Sequence, residues 1–367
     1  MDKEVCIQKV AKKDSTNSNI GIILPHIIFG PGGGVKVILE YANFLAEKGN
    51  TVTIYFMTYN LYCRWIKWEF LRRIVGKLLY KRYRKYYNLA ANIKTCDLFY
   101  TNDIKQHDVL IATELRTALL VNRLPKNSTK LVYFVQGFET WGSDEETVFQ
   151  TYQFPMKKVV VSKWLESKVV EHCNDKVAYI PNSIDLSIFN LKIPIRERKP
   201  HTITLHYRTM ECKGSKYAIE LISKLEERYP DLETKIIGVS KCPKDLPKSC
   251  KYYRSIAPQK VASLNNISRI FVCTSLEEGF GLPGLEAMAC GCALVTTDYA
   301  GGREYAIDGE NALVSKPKDV DSMFQNVVRL FEDEELLRKI SNNGVATAKK
   351  FEFGRSAEDF WKLIKGL

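Results

Sequence analysis

Several common sequence signatures are absent from this chain of 367 residues. Its ten cysteines include no C-x-x-C pair, so we expect reduced thiols in a reducing compartment rather than a disulfide framework. No run of about 18 apolar residues occurs, which argues against a membrane-spanning helix, and the polar residues 1–19 predict no signal peptide. The histidines have no ligand-like spacing with cysteine or aspartate, so no structural metal is expected. These absences predict a cytoplasmic protein.

Acidic residues are in deficit, because 42 Asp and Glu face 54 Lys and Arg, for a net charge of +12. Such a balance favours a negatively charged partner, namely nucleic acid, anionic lipid or a phosphorylated substrate. The excess is concentrated in residues 64–87, RWIKWEFLRRIVGKLLYKRYRKYY, which carry a net +8 and seven aromatic side chains. At helical spacing, one arc of this segment holds the apolar side chains Trp68, Leu71, Ile74, Val75, Leu78 and Leu79.

Four interpretations of residues 64–87 are open at this point. The segment can lie on an anionic membrane surface with its Trp and Tyr rings at headgroup depth. It can also pack on its domain as a solvated helix, bind RNA, or form an oligomer contact. We favour the membrane interpretation and expect no nucleic-acid partner. The protein would then be peripheral on the inner face of the cell membrane.

Short apolar runs alternate with amphipathic segments along the chain, and this pattern predicts the fold class. The expected strands are residues 20–28, 51–56, 108–113, 130–136, 157–161, 202–207, 234–238, 269–274 and 293–297. The expected helices are residues 35–48, 214–228, 257–267, 283–290 and 319–331. We therefore predict two Rossmann-like α/β domains, 1–187 and 188–350, whose parallel sheets face a central cleft. Residues 351–367 add a C-terminal helix, for which packing back on the first domain is one option.

Gly33 and Gly34 end a glycine-rich turn between the first predicted strand and the first predicted helix. Glycines at a helix N-terminus let backbone N–H groups approach an anion, which makes both residues binding candidates. The pattern G-x-G-x-x-G is not met, because Val35 stands at its last position, and the second strand ends without an acid. Both facts disfavour a nicotinamide enzyme. A turn whose glycines serve only the backbone geometry is the alternative.

The strongest signal is SLEEGFGLPGLEAMACG, residues 275–291. Gly279 and Gly281 allow a tight bend after the preceding strand. Glu278 thus lies in a loop and Glu286 on the first turn of a helix, a spacing at which two carboxylates can hold hydroxyl groups at the two ends of one ligand. The backbone amides after Glu278 point outward, where a pyrophosphate or a sugar could bind. The alternative is an acid that only balances the helix dipole.

The E-x7-E spacing of Glu278 and Glu286, followed by Ala-Met-Ala-Cys-Gly, resembles the signature of the retaining glycosyltransferases of family 4, which have the GT-B fold. The resemblance covers most of the chain, since residues 180–189 (IPNSIDLSIF) and 308–314 (DGENALV) are similar to further stretches of the family, and it is closest to the bacterial polysaccharide type. It implies that Glu278 contacts the donor sugar and that Glu286 contacts the nucleotide ribose. The other donor-binding candidates are Gly33, Gly34, Gly279, Phe280, Gly281 and Leu282.

Arg208 and Lys213 follow the first strand of the second domain with the R-x4-K spacing of the same family. Breaking a sugar–pyrophosphate bond leaves growing negative charge on the leaving group, which two fixed cations offset without a metal. We therefore predict Arg208, Lys213 and Glu278 as the catalytic residues of a metal-independent reaction that needs no cofactor. Two solvated surface cations are the alternative, and Tyr207 departs from the glycine that the family usually has there.

Ligands of parallel sheets bind at the carboxyl ends of the strands. In the first domain those ends carry Glu114, Gln136 and Glu139, which are the acceptor-side candidates. Gln136 stands where many family members have histidine, and an amide can form hydrogen bonds but does not titrate. A proton role at this position is therefore in doubt.

The motifs and the resemblance together predict a retaining hexosyl- or deoxyhexosyltransferase. It would move a sugar from a nucleotide sugar to a glycan or lipid-linked acceptor in the synthesis of a surface polysaccharide or glycoconjugate. Two other functions stay open, a nucleotide-sugar 2-epimerase of GT-B fold and a non-enzymatic basic protein that binds membrane or nucleic acid. The base, the sugar and the acceptor hydroxyl are not predicted.

Overall fold

Two parallel β-sheets form the framework of the computed structural model, which describes residues 17–25, 33–57, 68–98, 100–125, 128–140 and 142–367. The first sheet consists of β1 (Asn19–Leu24), β2 (Thr51–Phe56), β3 (Lys94–Asp97), β4 (Val109–Ala112), β5 (Lys130–Val135), β6 (Lys157–Val160) and β7 (Ala178–Tyr179). Its strand order is β3-β2-β1-β4-β5-β6-β7, and all neighbouring strands are parallel. We call the unit around this sheet the first domain.

The central strand β1 is buried on both faces because helices cover the sheet on both sides. Its β-branched residues Ile20, Ile22 and Ile23 are almost completely inaccessible, as expected for a central parallel strand. The helices of this domain are α1 (Gly33–Glu47), α2 (Glu69–Tyr86), α3 (Leu115–Asn122), α4 (Glu145–Tyr152) and α5 (Lys163–Val170).

The second domain repeats the arrangement with six parallel strands. These are β8 (Thr202–Tyr207), β9 (Glu233–Gly238), β10 (Cys250–Arg254), β11 (Ile270–Cys273), β12 (Ala293–Thr297) and β13 (Ala312–Ser315), in the order β10-β9-β8-β11-β12-β13. The helices are α6 (Ser215–Arg228), α7 (Pro258–Asn266), α8 (Leu282–Ala289), α9 (Val320–Glu332) and α10 (Glu334–Ala348). In both sheets the strand order reverses direction beside the first strand, which is where such folds form a ligand crevice.

Most predicted elements are present with ends shifted by one or two residues. The strand expected at residues 20–28 ends at Leu24, and residues 26–32 lie outside the described residues. Eight elements were not predicted from the sequence, namely the edge strands β3, β7, β10 and β13 and the helices α3, α4, α5 and α10. An Asn-Asn-Gly triplet, which is typical of a turn, lies inside the helix α10. Burial of Leu337 and Ile340 keeps it helical, and the Ser341 hydroxyl donates to the Gly291 carbonyl at 2.7 Å.

The C-terminal helix α11 (Phe353–Lys365) packs on α1 of the first domain. The ring of Tyr41 on α1 lies 4.7 Å from the ring of Phe360 and 5.6 Å from that of Phe353. Just before α11 the chain forms two backbone hydrogen bonds with Ile184, from Ile184 N–H to the Phe351 carbonyl (2.9 Å) and from Phe353 N–H to the Ile184 carbonyl (3.0 Å). The last segment of the chain therefore completes the first domain.

None of the helices in the described ranges has the length and apolar character that crossing a bilayer would need.

Candidate functional site

A cavity of about 440 Å³ lies between the carboxyl edges of the two sheets. Eleven of the thirteen candidate residues line it, namely Gly33, Gly34, Gln136, Arg208, Lys213, Glu278, Gly279, Phe280, Gly281, Leu282 and Glu286. Glu114 and Glu139 do not. The fold therefore brings motifs that are separated by more than a hundred residues to one place.

The loop between β11 and α8 depends on two of its glycines. Gly281 adopts a φ of +88° as the residue that begins α8, a conformation that disfavours other residues. Gly279 lies against the backbone of the first domain, where a side chain would collide with the carbonyl oxygen of Gln136. The Tyr305 hydroxyl donates to the Gly281 carbonyl at 2.5 Å and so fixes the turn. This loop is thus the place where the two domains meet at the cavity.

Lys213 is held beside Glu278 by the backbone around both residues. Gly214 has a φ of +61°, and a side chain there would collide with the Thr274 carbonyl at the end of β11. Leu276 N–H donates to the carbonyl of the residue before Lys213 at 2.7 Å. As a result the Lys213 Nζ lies 3.4 Å from the Glu278 Oε1, an oxygen that also accepts a 2.7 Å hydrogen bond from the Ser275 hydroxyl.

Arg208 lies at the carboxyl end of β8 on the same side of the cavity. Its backbone N–H donates to the Ser215 hydroxyl at 2.9 Å, and its guanidinium donates to the Tyr207 carbonyl at 2.9 Å. Burial lowers the pKa of Arg208, and the carboxylates of Glu278 and Glu286 oppose that shift. An arginine in a protein stays charged, so the cavity holds a second fixed cation beside Lys213.

Glu286 is almost completely buried and forms an ion pair across the cleft. Its Oε1 lies 3.4 Å from the Nζ of Lys36, a residue of the first turn of α1, and the same Nζ lies 3.6 Å from the Oε1 of Glu40. Burial raises the pKa of Glu286, and Lys36 opposes this. Burial also raises the pKa of Glu40, to about 7. Lys36 was not predicted from the sequence, although its place in the same helical turn as Gly33 and Gly34 is a usable signal.

Gln136 presents two different groups to the cleft. Its backbone carbonyl lies against Gly279, and its side chain lies against Gly34 at the N-terminus of α1. The side-chain Oε1 is buried, and no hydrogen-bond partner for it exists among the described residues. The side chain is therefore available to a ligand on the first-domain side.

Glu139 and Glu114 lie behind the cavity at the N-terminus of α3. The Glu139 carboxylate accepts a hydrogen bond from the backbone N–H of Leu115, the first residue of that helix. Burial raises the pKa of Glu139 to about 8; the Leu115 N–H lowers it and Glu114 raises it further. This geometry gives Glu139 a helix-capping contact, and its predicted acceptor-side role stays a prediction.

A larger cavity of about 910 Å³ lies at the amino ends of β4, β5 and β6. Lys105, Lys130 and Lys157 line it, and it contains none of the predicted site residues. The smaller cavity is the better site because its lining combines three cationic side chains, three carboxylates and the N-terminus of α1. In the part of the chain that the structure describes, no three side chains cluster in a way that would hold a metal ion.

Residues 190–347 match the family described as Glycosyl transferases group 1. That range contains Arg208, Lys213, Glu278 and Glu286, so the second domain, with its part of the cavity, is what resembles the group 1 glycosyltransferases. The match covers less than half of the chain and leaves the first domain, with Lys36 and Gln136, outside it.

Two curated relatives extend the similarity. An uncharacterized glycosyltransferase of Methanocaldococcus jannaschii is 25% identical over 66% of this chain and 65% of its own length. The poly(glycerol-phosphate) alpha-glucosyltransferase of Bacillus subtilis is 25% identical over 58% of this chain and 33% of its own length. The chain thus spans less than two thirds of either relative.

A solved structure matches nearly the whole chain. Anabaena HepE, crystallised in complex with UDP-glucose, has a TM-score of 0.73 at 13% identity, over 95% of this chain and 100% of that one. A likeness at this identity concerns the fold, and it confirms the predicted GT-B architecture of two facing α/β domains.

Proposed function

We propose that the protein is a glycosyltransferase that moves a hexosyl or deoxyhexosyl group from a nucleotide sugar to a glycan or lipid-linked acceptor. The observation that carries this proposal is the 3.4 Å contact between Lys213 and Glu278 in the cavity between the domains, within the group 1 match. The UDP-glucose bound to the structurally similar HepE supports a nucleotide-sugar donor. The product would belong to a surface polysaccharide or glycoconjugate.

The polar groups of the cavity suit the parts of such a donor. Arg208 and Lys213 would bind the diphosphate and offset the charge that grows on it as the sugar leaves. The Glu278 carboxylate would accept a hydrogen bond from a hydroxyl of the sugar, and the Glu286 carboxylate would accept one from a hydroxyl of the ribose. Because Lys213 now contacts Glu278 and Lys36 contacts Glu286, the donor would exchange these internal pairs for contacts with itself.

We further propose that the transfer retains the anomeric configuration. The bond between the anomeric carbon and the phosphate oxygen breaks, and the acceptor oxygen bonds to the same face of that carbon. The acceptor proton then passes to the leaving phosphate oxygen. Two features support a proton route through the phosphate: the amide of Gln136 does not titrate, and Glu139 does not line the cavity.

The test is calorimetric titration with UDP, GDP, dTDP and ADP, followed by transfer assays with the sugar nucleotides of the base that binds. We expect one diphosphate to bind and its sugar to appear on the acceptor with its original anomeric configuration, read by NMR coupling constants. Failure of all four diphosphates to bind would refute the proposal. Conversion of the nucleotide sugar without any acceptor would instead indicate an epimerase.

A membrane-bound acceptor is supported by the way in which α2 is attached. The Tyr80 hydroxyl donates to the Asp97 carboxylate of β3, and the Tyr80 ring stacks on Phe56 of β2 with centroids 5.1 Å apart. The Arg84 guanidinium donates to the carbonyl of Ala90 at 2.7 Å. The tyrosine face of α2, rather than the predicted apolar arc, therefore packs on the first domain.

The opposite face of α2 is apolar and exposed. Its exposed members are Trp68, Phe70, Leu71, Ile74 and Leu78, with Lys77, Lys81 and Lys85 exposed beside them. The packing of α2 on the first domain fits the alternative of a solvated helix as well, and the exposed apolar face is the feature that favours a membrane. Residues 64–67 lie outside the described residues. Apolar side chains flanked by lysines suit an anionic bilayer, and we propose that α2 holds the protein as a peripheral protein on the inner face of the cell membrane.

A further inference from the structure

His206 is a cavity residue that neither the motifs nor the proposed roles explain. It is the second-last residue of β8, two positions before Arg208, and it lines the same cavity. Both of its ring nitrogens are buried, and no hydrogen-bond partner for either exists among the described residues. Its ring meets the ring of Phe271 edge-on, at 5.7 Å between centroids.

An unpaired imidazole at this depth is unusual in a folded protein. Buried polar atoms nearly always have a partner, and leaving one without a partner destabilises the fold. Histidines that serve packing alone normally find such a partner, as His107 does with the Tyr55 hydroxyl at 2.9 Å. Two unpaired nitrogens on a residue that lines this cavity therefore indicate a group that is completed by a ligand.

Burial, together with the nearby charge of Arg208, lowers the pKa of His206 to about 3. The ring is thus neutral at physiological pH and offers one N–H donor and one nitrogen acceptor. A neutral imidazole is not suited to binding a diphosphate by charge. It is suited to a neutral partner that carries its own donors and acceptors.

One part of the cavity lining, which includes Phe271 beside His206, differs from the charged part. It comes from β11, which pairs directly with β8, and from α7 and the loop that precedes it. The lining residues from these elements are apolar: Ile256, Pro258, Val261 and Phe271. A flat, apolar ring system with a polar edge fits between such walls and the imidazole.

We infer that His206 reads the nucleobase of the donor, with an imidazole nitrogen hydrogen-bonded to the polar edge of a base that lies against Phe271 and the start of α7. This inference rests on the proposed function, because it assumes that the cavity takes a nucleoside diphosphate. The inference assigns binding of the diphosphate and selection of the base to different residues of the same cavity. Arg208 and Lys213 hold the diphosphate irrespective of the base, and His206 decides which base is accepted.

The test compares His206→Leu and His206→Asn with the wild-type protein and with His201→Leu, a control at the other end of β8. His201 pairs with Asp231 and does not line the cavity. Calorimetry measures the affinities for UDP, GDP, dTDP, ADP and inorganic pyrophosphate. For His206→Leu we expect roughly 10- to 100-fold weaker binding of the preferred diphosphate and loss of the preference among bases. The affinity for inorganic pyrophosphate should stay unchanged.

A structural role for His206 predicts different results. It predicts a lower melting temperature in His206→Leu, whereas removal of two unpaired nitrogens should leave that temperature unchanged or raise it. His206→Asn should recover part of the affinity, since an amide also carries a donor and an acceptor. In the wild-type protein, the preferred diphosphate should shift the His206 ring signals in NMR and pyrophosphate should not, which tests the inference even if a variant fails to fold.

Wild-type affinity and base preference in His206→Leu would overturn the inference while leaving the proposed function intact. Equal losses for the diphosphate and for pyrophosphate would overturn it as well. If the wild-type protein binds none of the four nucleoside diphosphates, the proposed function itself fails, and the inference fails with it.

Discussion

Replacing Phe70, Ile74 and Leu78 with serine removes the exposed apolar face of α2 and leaves its packing face intact. The three side chains are 71%, 41% and 67% exposed, so their exposed parts amount to a little under two whole side chains. Burying one such side chain contributes about 1.5–3 kcal/mol. The triple variant should therefore bind a bilayer about 3–5 kcal/mol less favourably, or roughly 10²- to 10⁴-fold more weakly.

Charge contributes a smaller part, which a second variant isolates. A basic residue near an anionic surface is worth about 1 kcal/mol, so Lys77→Ala with Lys81→Ala should cost about 2 kcal/mol. The assay is flotation with vesicles of phosphatidylglycerol and phosphatidylcholine at 50 and 300 mM salt. We expect the alanine variant to lose part of its salt dependence and the serine variant to keep all of it, because salt screens only the charge contribution.

The matched control replaces Val170, Ile267 and Ile307 with serine, three exposed side chains away from α2. It should float like the wild-type protein. All variants should keep their melting temperature and should transfer sugar to a short soluble acceptor at the wild-type rate. If the α2 serine variant floats with wild-type lipid and salt dependence, this helix is not the membrane contact and the reasoning is refuted.

Further predictions concern the cavity and two buried acids. Glu278→Gln should lower kcat about 100-fold or more without changing the melting temperature, and normal turnover would end its donor-sugar role. Lys213→Ala should lower kcat by roughly 10²–10³-fold with a smaller effect on KM, whereas the control Lys216→Ala, at an exposed lysine, should leave kcat unchanged. EDTA should leave the rate unchanged, and a strict requirement for Mn²⁺ or Mg²⁺ would contradict the role of Arg208 and Lys213 as the cations that offset the leaving-group charge. Burial raises the pKa of Glu40 from 4.5 to about 7, so the folded state binds more protons than the unfolded state in that window, and stability falls as pH rises through it. Glu40→Gln should flatten this fall in urea unfolding at pH 5 and pH 8, and an unchanged slope would mean that Glu40 titrates normally. Glu139, whose pKa is raised to about 8, extends the same fall to higher pH, so Glu139→Gln should raise the melting temperature most at pH 9.

The parts of the site that the sequence could predict are those fixed by short-range spacing. Glu278 and Glu286 are eight positions apart, and one glycine-rich turn followed by one helix places both at the cavity. Lys213 was predictable for the same reason, since it lies five positions after Arg208. The contact of Lys36 with Glu286 joins residues 250 positions apart, and no local pattern encodes it.

For α2 the sequence predicted an amphipathic helix, but the predicted apolar arc splits in the structure. Leu71, Ile74 and Leu78 are exposed, whereas Leu79 packs against the core of the first domain. Periodicity identifies an amphipathic helix and assigns the apolar side to the core by default. Here the side chains of Tyr80 and Tyr83 find partners in β2 and β3 that make the tyrosine face the buried one. Short edge strands such as β10, with its sequence Cys-Lys-Tyr-Tyr-Arg, escape prediction because they alternate too few apolar residues.

Because α11 packs on α1, the chain crosses from one domain to the other twice. The two crossing segments lie side by side, where the backbone of Ile184 forms hydrogen bonds with the residues on both sides of Glu352. Because the two crossings lie at one place, we expect any opening of the cleft to be a rotation of the domains about an axis near Ile184 and Glu352. The same arrangement delays folding during synthesis. Tyr41 packs on Phe134 within the first domain, but its contact with Phe360 forms only after the whole second domain has been synthesised.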